Sequence, residues 1–266
     1  LAFLLPDEAL NGRGWAIRAI MELSHRLGAD LALLEADLIE ANGEKGLHGQ
    51  WLPTLLQPIR EGGFDLVLGQ FNRHYCEATV TRHLVYPLLA SLYNYKIRDP
   101  LSGVMGIHRR LLRQFLENPR IWHGDVGGYG VDPWLVTTAI CEEAKICEAR
   151  LGSKPRHYSA GKRELVFRQV AKTLFESYIA QRERLAGIYS GPVQYADQYG
   201  ALTVPSPSGP ELHPADVVSR FRQGFNLFYS TLLPRVLPEE AFEELAELAE
   251  APPERLRFSA RFWART

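Results

Sequence analysis

The chain has few cysteines, no excess of charge of either sign and no long apolar run. Its 266 residues include 30 Lys and Arg against 31 Asp and Glu, which argues against general nucleic-acid binding because that needs a basic surface. No run approaches the roughly 20 apolar residues that span a bilayer, and we expect no signal peptide. The spacing of the three cysteines matches neither a redox motif nor a metal-binding motif, and we predict that Cys76, Cys141 and Cys147 are buried free thiols. We therefore expect a cytoplasmic protein without nucleic-acid or integral membrane contacts.

Apolar residues alternate between two periodicities along the first part of the chain. Residues 15–27 have helical spacing and end at Gly28, and residues 51–60 repeat this pattern before Gly62 and Gly63. Short apolar runs at 31–34 and 64–69 follow these helices and read as buried strands. This alternation predicts an α/β domain with a mostly parallel sheet and helices on its faces.

The composition changes in the last third of the chain. Long helical patterns at 163–188, 215–233 and 238–251 surround a linker rich in Pro, Ser and Gly at 204–214. We predict an α/β domain over residues 1–160 and an all-helical region over residues 161–266. The opening residues read as the middle of a domain, so at least one strand is expected before Leu1.

Two carboxylates follow the first predicted strand. Glu35 and Asp37 are separated only by Ala36, so on an extended chain both side chains point to the same side and can share one hard cation. Acidic groups at the carboxyl end of a buried strand lie where open α/β sheets bind ligands. The alternative is a solvated acidic turn.

Two turns are candidates for binding an anion. Arg13 lies between Gly12 and Gly14 at a helix start, where the helix terminus and a flexible backbone favour a phosphate. An ordinary surface arginine is the alternative. Ser102 and Gly103 end a polar turn before a strand and have backbone N–H groups for a ligand oxygen, unless this is an ordinary turn.

Two further residues have both a structural and a functional interpretation. Asp132 follows a glycine-rich loop and precedes Pro133, which is also the pattern of a helix N-cap. His157 lies in a basic loop after the strand predicted at 146–151. It becomes a metal-ligand candidate if that loop returns to the acidic strand end, and is otherwise a surface residue.

The ordered set of these motifs resembles the GT-A fold of nucleotide-sugar glycosyltransferases. The resemblance rests on Gly12-Arg-Gly-Trp-Ala-Ile-Arg, Glu35-Ala-Asp, Asp99-Pro-Leu-Ser-Gly and Tyr129-Gly-Val-Asp, and it covers more than half of the chain. The sequence is most similar to glucosylglycerate, glucosyl-3-phosphoglycerate and mannosylglycerate synthases, which are soluble retaining enzymes. The resemblance implies a Rossmann-like α/β fold, here without its nucleobase-binding strand.

The resemblance assigns roles to individual residues. It places Glu35, Ala36 and Asp37 on the DxD motif of the donor site, Arg13 on the donor pyrophosphate, and Leu101 and Gly103 beside the donor sugar. Asp132 and Ser102 become the catalytic candidates, and Thr81 and Tyr129 the acceptor-binding candidates. Asp37 and His157 become ligands of Mg²⁺ or Mn²⁺. The implied partners are a nucleotide sugar and a small acceptor, with homodimerisation left open.

The chain departs from these synthases at two positions. The first acid of the DxD motif is Glu35, which favours Asp37 as the direct metal ligand and leaves the role of Glu35 open. Enzymes that use phosphoglycerate carry Gly-Arg-Val-Thr where this chain has Ala78-Thr-Val-Thr81. The bidentate phosphate clamp of that arginine is lost, so we expect an unphosphorylated acceptor, unless Arg73 or Arg82 substitutes.

The sequence thus predicts a metal-dependent hexosyltransferase that moves glucose or mannose to a small hydroxy acid such as D-glycerate, with retention implied by the resemblance. If the reaction inverts instead, Asp132 is the base candidate. Two alternatives are an inverting sugar transferase acting on a polyprenyl phosphate, which Asp99-Pro-Leu-Ser-Gly also resembles, and a catalytically degenerate binding module.

Overall fold

The computed structural model describes residues 12–36, 38–39, 49–74, 76–117, 119–154, 156–157, 162–187, 191–200 and 214–265. Its first elements are α1 (Arg13–Arg26), β1 (Leu31–Leu33), β2 (Leu38–Ile39), α2 (Trp51–Gly62), β3 (Leu66–Asn72), α3 (Tyr86–Leu92), β4 (Tyr95–Lys96), β5 (Met105–Ile107), α4 (Arg109–Leu116) and α5 (Val131–Cys141). They are followed by β6 (Ile146–Ser153), β7 (Arg156–His157), α6 (Arg163–Leu185), β8 (Gln194–Tyr195), β9 (Asp197–Tyr199), α7 (Pro214–Phe228), α8 (Leu233–Val236), α9 (Glu239–Glu250) and α10 (Ala260–Arg265).

The described residues form a central five-stranded sheet in the order β1-β5-β3-β6-β9. Strand β5 is antiparallel to both β1 and β3, whereas β3, β6 and β9 are parallel neighbours. Four of these five strands therefore run in one direction. Leu66, Val67 and Leu68 in β3 are fully buried, as expected for a strand covered on both faces. The predicted α/β class with a mostly parallel sheet is confirmed.

Two apolar layers cover the faces of this sheet. Met21 of α1, Leu135 of α5 and Leu174 of α6 belong to the larger layer. Trp51 and Leu55 of α2 belong to the smaller one. Each fully buried leucine contributes about 1.5–3 kcal/mol through the hydrophobic effect. The helices are thereby fixed to the sheet, and the N-termini of α1 and α5 carry Arg13 and Asp132 of the candidate site.

The end of the α/β unit differs from the sequence prediction. Helix α6 packs against α5, and β9 adds to the sheet beside β6, so residues 161–266 are not all-helical. The chain divides into compact units at Leu1–Gly209 and Pro210–Thr266, whereas the sequence predicted a boundary after residue 160. The short strands β8 and β9 were missed because exposed strands of two or three residues leave no apolar periodicity.

The second compact unit is helical in the part that the structure describes. Arg222 of α7 donates to the backbone oxygens of Ala249, in the last turn of α9, and of Ala251, just after it, at 2.9 and 2.6 Å. The rings of Phe221 and Phe258 meet edge to face with centroids 5.1 Å apart. These contacts agree with the helices predicted from the sequence. No helix in the described ranges combines the length and apolar character that crossing a membrane requires.

Pro87 lies at the change of helix type within the helical segment 79–92. Thr81–Val85 forms a π-helical turn, closed by a hydrogen bond from the Tyr86 amide to the Thr81 carbonyl. Proline has no amide hydrogen to continue the α-helical pattern, and α3 begins around it. Single π-helical turns often occur at functional sites, and this one places Thr81 and Arg82 beside a cavity.

The three cysteines, all in the described part of the chain, are free thiols. Cys141 and Cys147 are buried, as predicted, and burial raises their pKa to about 11 and about 12. A thiol with such a pKa is protonated at neutral pH and is a poor nucleophile. Cys76 is only half-buried, which differs from the prediction for that residue.

Asp65 precedes β3 at the end of the sheet opposite the candidate site. Both of its carboxylate oxygens accept from Arg110, at 2.7 and 2.8 Å, and one also accepts from the Lys145 amide at 3.0 Å. We expect Asp65→Ala to lower the free energy of unfolding by about 2–3 kcal/mol, because it removes three hydrogen bonds and leaves polar partners unpaired. Urea unfolding followed by tryptophan fluorescence measures this loss.

The matched control is Glu117→Ala on α4. Glu117 pairs with Arg113 while both side chains are mostly exposed, so its loss should cost at most about 0.5 kcal/mol. Equal losses in the two variants would contradict the anchoring role of Asp65.

Candidate active site

Polar side chains from separate elements converge at one edge of the central sheet. Glu35, Arg73 and Lys154 follow β1, β3 and β6, and the turn 99–103 precedes the antiparallel β5. Because β5 runs opposite to the others, its start lies at the same edge as the carboxyl ends of its neighbours. This is the edge at which open α/β sheets bind ligands.

Arg13 and Asp132 form the central ion pair of this site. The guanidinium of Arg13 donates to both carboxylate oxygens of Asp132, at 3.1 and 3.2 Å, and its Nη2 reaches the Gly103 carbonyl at 3.4 Å. Asp132 is the main cause of the raised pKa of Arg13. Helix α5 begins at Val131 with Gly130 as its N-cap, so Asp132 is not the N-cap.

Glu35 and Lys154 form a second ion pair beside the first. Lys154 Nζ lies 2.7 Å from Glu35 Oε2, and Glu35 Oε1 lies 3.6 Å from Arg13 Nη1. Lys154 also donates to the Ser102 carbonyl at 2.7 Å. Burial is the main cause that lowers the pKa of Lys154, followed by repulsion from Arg73, while Glu35 opposes both effects.

The glycines around Arg13 serve to pack two backbones together. The Gly14 amide donates to the Gly128 carbonyl at 3.1 Å. A Cβ on Gly14 would lie 2.8 and 2.9 Å from backbone atoms of Gly127 and would overlap the Val126 carbonyl oxygen. The sequence suggested that these glycines let an anion approach. The structure instead uses them to dock α1 against the loop before α5, which brings Arg13 to Asp132.

Glu148 stabilises the turn before β5 by a hydrogen bond to its backbone. Buried Glu148 of β6 accepts from the Asp99 amide at 2.9 Å and from the Gln198 side chain at 2.9 Å, and burial raises its pKa. Gly103 has a φ of +75°, and a Cβ there would overlap the Glu35 carboxylate. A glycine is therefore required at Gly103 both by its backbone conformation and by the approach of Glu35.

The side chains of Leu101 and Ser102 lie differently from the sequence prediction. The fully buried Ser102 hydroxyl donates to the Val104 carbonyl at 2.8 Å and accepts from its amide at 3.3 Å. This geometry favours a structural role for Ser102 over the catalytic one. Half-buried Leu101 packs against the larger apolar layer. The Ser102 and Gly103 carbonyls accept hydrogen bonds from Lys154 and Arg13 of the two ion pairs.

The predicted metal ligands lie partly outside the described residues. Asp37 is not described, and Ala36 is an exposed turn residue. Strands β2 and β7 pair antiparallel, with His157 opposite Leu38, the residue after Asp37 in the sequence. The loop that contains His157 therefore returns, in its backbone, to the residue next to Asp37, while the metal-ligand roles of Asp37 and His157 stay predictions. Within the described ranges, no three His, Cys, Asp or Glu side chains cluster as a metal site.

A cavity of about 460 Å³ opens beside this site. It is lined by Gln70, Phe71, Arg73, Ala78, Thr81, Arg82, Tyr86, Arg98 and Asp99. The Arg73 guanidinium binds both Asp99 oxygens at 2.8–3.0 Å, while Arg82 donates to the Arg73 carbonyl and Arg98 stacks on the Tyr86 ring. Three arginines against one carboxylate give the cavity a positive balance.

The two acceptor-binding candidates occupy different places. Thr81 lines the cavity, whereas Tyr129 is not among its lining residues. The Tyr129 amide donates to the Gln169 side chain at 2.9 Å. Its phenol is a minor contributor, after Asp132 and Glu35, to the raised pKa of Arg13. The acceptor role of Tyr129 remains a prediction, and its position is on the Arg13 side of the site.

Sequence reasoning missed Lys154, Glu148 and Arg98. Lys154 was seen only as part of a basic loop, although a lysine three residues after the strand predicted at 146–151 was a usable signal. Glu148 is an isolated acid in an apolar strand, which usually marks a buried carboxylate with polar partners. For Arg98 the sequence held no signal, because its place beside the cavity depends on the tertiary fold.

Solved structures give the fold of this chain. No protein-family profile matches the sequence, and no curated protein is significantly similar to it. Glucosyl-3-phosphoglycerate synthase from Mycobacterium tuberculosis, solved with Mn²⁺, UDP-glucose and phosphoglyceric acid, is 25% identical, with a TM-score of 0.50 over 65% of this chain and 58% of that one. A crystal structure of a mycobacterial protein is 26% identical, with a TM-score of 0.50 over 65% and 54%.

This chain thus spans little more than half the length of these proteins. A further structure of the Mycobacterium tuberculosis synthase, with Mn²⁺, UDP and phosphoglyceric acid, has a TM-score of 0.51 at 23% identity. The chain has the GT-A fold of these glucosyl-3-phosphoglycerate synthases, as the sequence resemblance predicted.

Proposed function

We propose that this chain is a metal-dependent glycosyltransferase. It transfers a hexose, glucose or mannose, from a nucleoside-diphosphate sugar to a small hydroxy acid such as D-glycerate, with retention of configuration. The observation that carries the proposal is the paired set Arg13–Asp132 and Glu35–Lys154 at the ligand-binding edge of the sheet, next to a cationic cavity. The synthases of this fold were solved with UDP-glucose and phosphoglyceric acid, which supports the same reaction class.

On the donor side, the reaction builds negative charge on the leaving diphosphate. Arg13 is held in place before the donor arrives, so stabilising this charge requires no reorganisation of the side chain. Mg²⁺ or Mn²⁺, for which we propose Asp37 and His157 as ligands, supplies Lewis-acid stabilisation when bound. Asp132 fixes the guanidinium of Arg13 and faces the position that we assign to the sugar hydroxyls.

On the acceptor side, the cavity supplies the positive charge that a hydroxy acid requires. Asp99 pairs with Arg73, and Arg82 and Arg98 are the other two arginines that line the cavity. A carboxylate bound by these arginines would hold the acceptor near Thr81, whose hydroxyl is a hydrogen-bonding group. These arginines line the same cavity as Ala78 and Thr81, the stretch in which this chain lacks the arginine of the phosphoglycerate-using enzymes. They could bind a phosphate in its place, so 3-phosphoglycerate is the acceptor to test against glycerate.

The position of Asp132 supports retention. Both of its oxygens accept from Arg13, so we assign Asp132 the role of orienting that guanidinium and not the removal of a proton from an acceptor hydroxyl. In a retaining reaction the leaving phosphate oxygen takes that proton, and no protein base is needed. Asp132 then orients the donor through Arg13.

A donor and acceptor matrix tests the proposed function. UDP-, GDP- and ADP-sugars with Mg²⁺ or Mn²⁺ are combined with glycerate, 3-phosphoglycerate and glucosylglycerate, and NMR of the product gives the anomeric configuration. Transfer to glycerate with retention supports the proposal. Activity only with 3-phosphoglycerate would contradict the choice of acceptor. Donor binding without transfer to any acceptor would favour a binding module.

We expect Arg98→Ala to raise the KM for the acceptor about tenfold while the KM for the donor changes little, because a charge-assisted hydrogen bond to an anion contributes roughly 1.5–3 kcal/mol. Steady-state kinetics with each substrate varied in turn measures the two constants. Arg113→Ala on the exposed face of α4 is the matched loss of an arginine and should change neither. A change confined to the donor KM would place Arg98 on the donor side instead.

A further inference from the structure

We propose that Lys154 is a positioning residue of the donor site. It binds Glu35 more closely than Arg13 does and thereby leaves Asp132 as the carboxylate that is hydrogen-bonded to Arg13, so that the guanidinium stays available to an anionic donor. This inference rests on the proposed function, and it assigns a role to Glu35 that differs from that of a metal ligand.

The distances separate the four charges into two pairs. Glu35 is 2.7 Å from Lys154 but 3.6 Å from Arg13, whereas Arg13 makes two hydrogen bonds to Asp132. The cluster contains two cations and two anions, so its formal charge is balanced. Without the lysine, both carboxylates would face Arg13 alone, and the cluster would carry an excess negative charge against a diphosphate.

Three contacts hold Lys154 in this position. Its ammonium binds Glu35, donates to the Ser102 carbonyl at 2.7 Å, and lies 5.5 Å from the centre of the Phe71 ring. Its side chain is only 10% exposed, so water screens the pair weakly and the removal of one partner leaves a costly uncompensated charge. Lys154 is therefore a fixed counter-ion and not a mobile surface lysine.

The carboxylate of Glu35 is committed to these cations. Oxygen Oε2 faces Lys154 and Oε1 faces Arg13. The close approach of Gly103 confines it from a third side. A carboxylate with a cation at each oxygen is a weak competitor for a divalent metal. This geometry explains why the longer Glu is accepted at the first position of the motif: its reach allows it to meet Lys154.

A double-mutant cycle tests the inference. Isothermal titration measures the binding of UDP-, GDP- and ADP-sugars with Mn²⁺ to the wild type, Lys154→Met, Glu35→Gln and the double variant. We expect Lys154→Met to weaken donor binding about tenfold in the wild-type background, because uncompensated Glu35 then competes for Arg13. In the Glu35→Gln background the same change should cost less than about threefold, since no carboxylate is left to neutralise.

Two further variants separate charge balance from folding. Lys154→Arg keeps the cation and should stay within about threefold of the wild type, and thermal unfolding of every variant reports on the fold. Equal factors for Lys154→Met in both backgrounds, or coupling in stability without coupling in donor affinity, would overturn this inference alone. A folded wild type that binds none of the nucleotide sugars would overturn the proposed function and this inference with it.

Discussion

Replacing Gly14 with alanine is expected to lower the free energy of unfolding by about 3 kcal/mol and to abolish donor binding. The new Cβ would lie 2.8 Å from the Gly127 carbonyl carbon and would overlap the Val126 carbonyl oxygen. These atoms belong to the backbone, so no side-chain rotation relieves the contact. Separation of the two loops would break the hydrogen bond from Gly14 to Gly128 and move Arg13 away from Asp132. Thermal unfolding and donor titration measure the two effects.

Gly224→Ala is the matched control. Gly224 lies inside α7, and a Cβ there would meet no atom within 4 Å. This substitution should raise stability by about 0.5–1 kcal/mol, because alanine is the better helix former. A Gly14→Ala protein with wild-type stability and donor affinity would show that the two backbones separate at little cost, and that their contact does not place Arg13.

Arg13→Met is expected to reduce kcat/KM by about 10²–10³. The change removes the cation that we assign to the donor diphosphate and leaves Asp132 without its hydrogen-bonded partner, while Glu35 keeps Lys154. The proximity of Asp132 raises the pKa of Arg13, so the guanidinium is charged at every working pH and no pH change should mimic its loss. Steady-state kinetics over varied donor concentrations measures the effect.

Two variants make this result specific. Arg26→Met removes an exposed arginine from the last turn of the same helix and should leave kcat/KM unchanged. Asp132→Asn in the Arg13→Met background removes the unpaired carboxylate and should recover part of the lost stability without recovering the rate. Wild-type kinetics in Arg13→Met would rule out a donor contact at this residue.

Local sequence patterns were sufficient to predict most of the helices and strands of the fold. Helix α2 ends where predicted because Gly63 adopts the left-handed conformation, with a φ of +67°, which glycine reaches at little cost. Strand β3 was visible as a continuous apolar run because both of its faces are covered. These signals depend on residues a few positions apart, so the local sequence is sufficient to predict them.

The candidate site was predicted in part for the same reason. Polar residues after buried strands and at helix starts meet at one edge of a parallel sheet, so Arg13, Glu35 and Asp132 were identifiable without coordinates. The resemblance to GT-A enzymes assigned a role to each of them. The role of each residue was harder to predict. The Ser102 hydroxyl bonds to the backbone of its own turn, and the glycines around Arg13 contact another loop.

The sequence by itself therefore determined the α/β class, the edge that holds the site and three of the side chains that meet there. Only the tertiary structure decided their partners. Lys154 pairs with Glu35 across 119 positions and Asp132 with Arg13 across the same separation. The arginines that line the cavity likewise come from the residue after β3, the π-helical turn and the loop after β4. Such contacts form where the packing of helices and strands brings distant residues together, and a local sequence pattern does not predict which distant residues will meet.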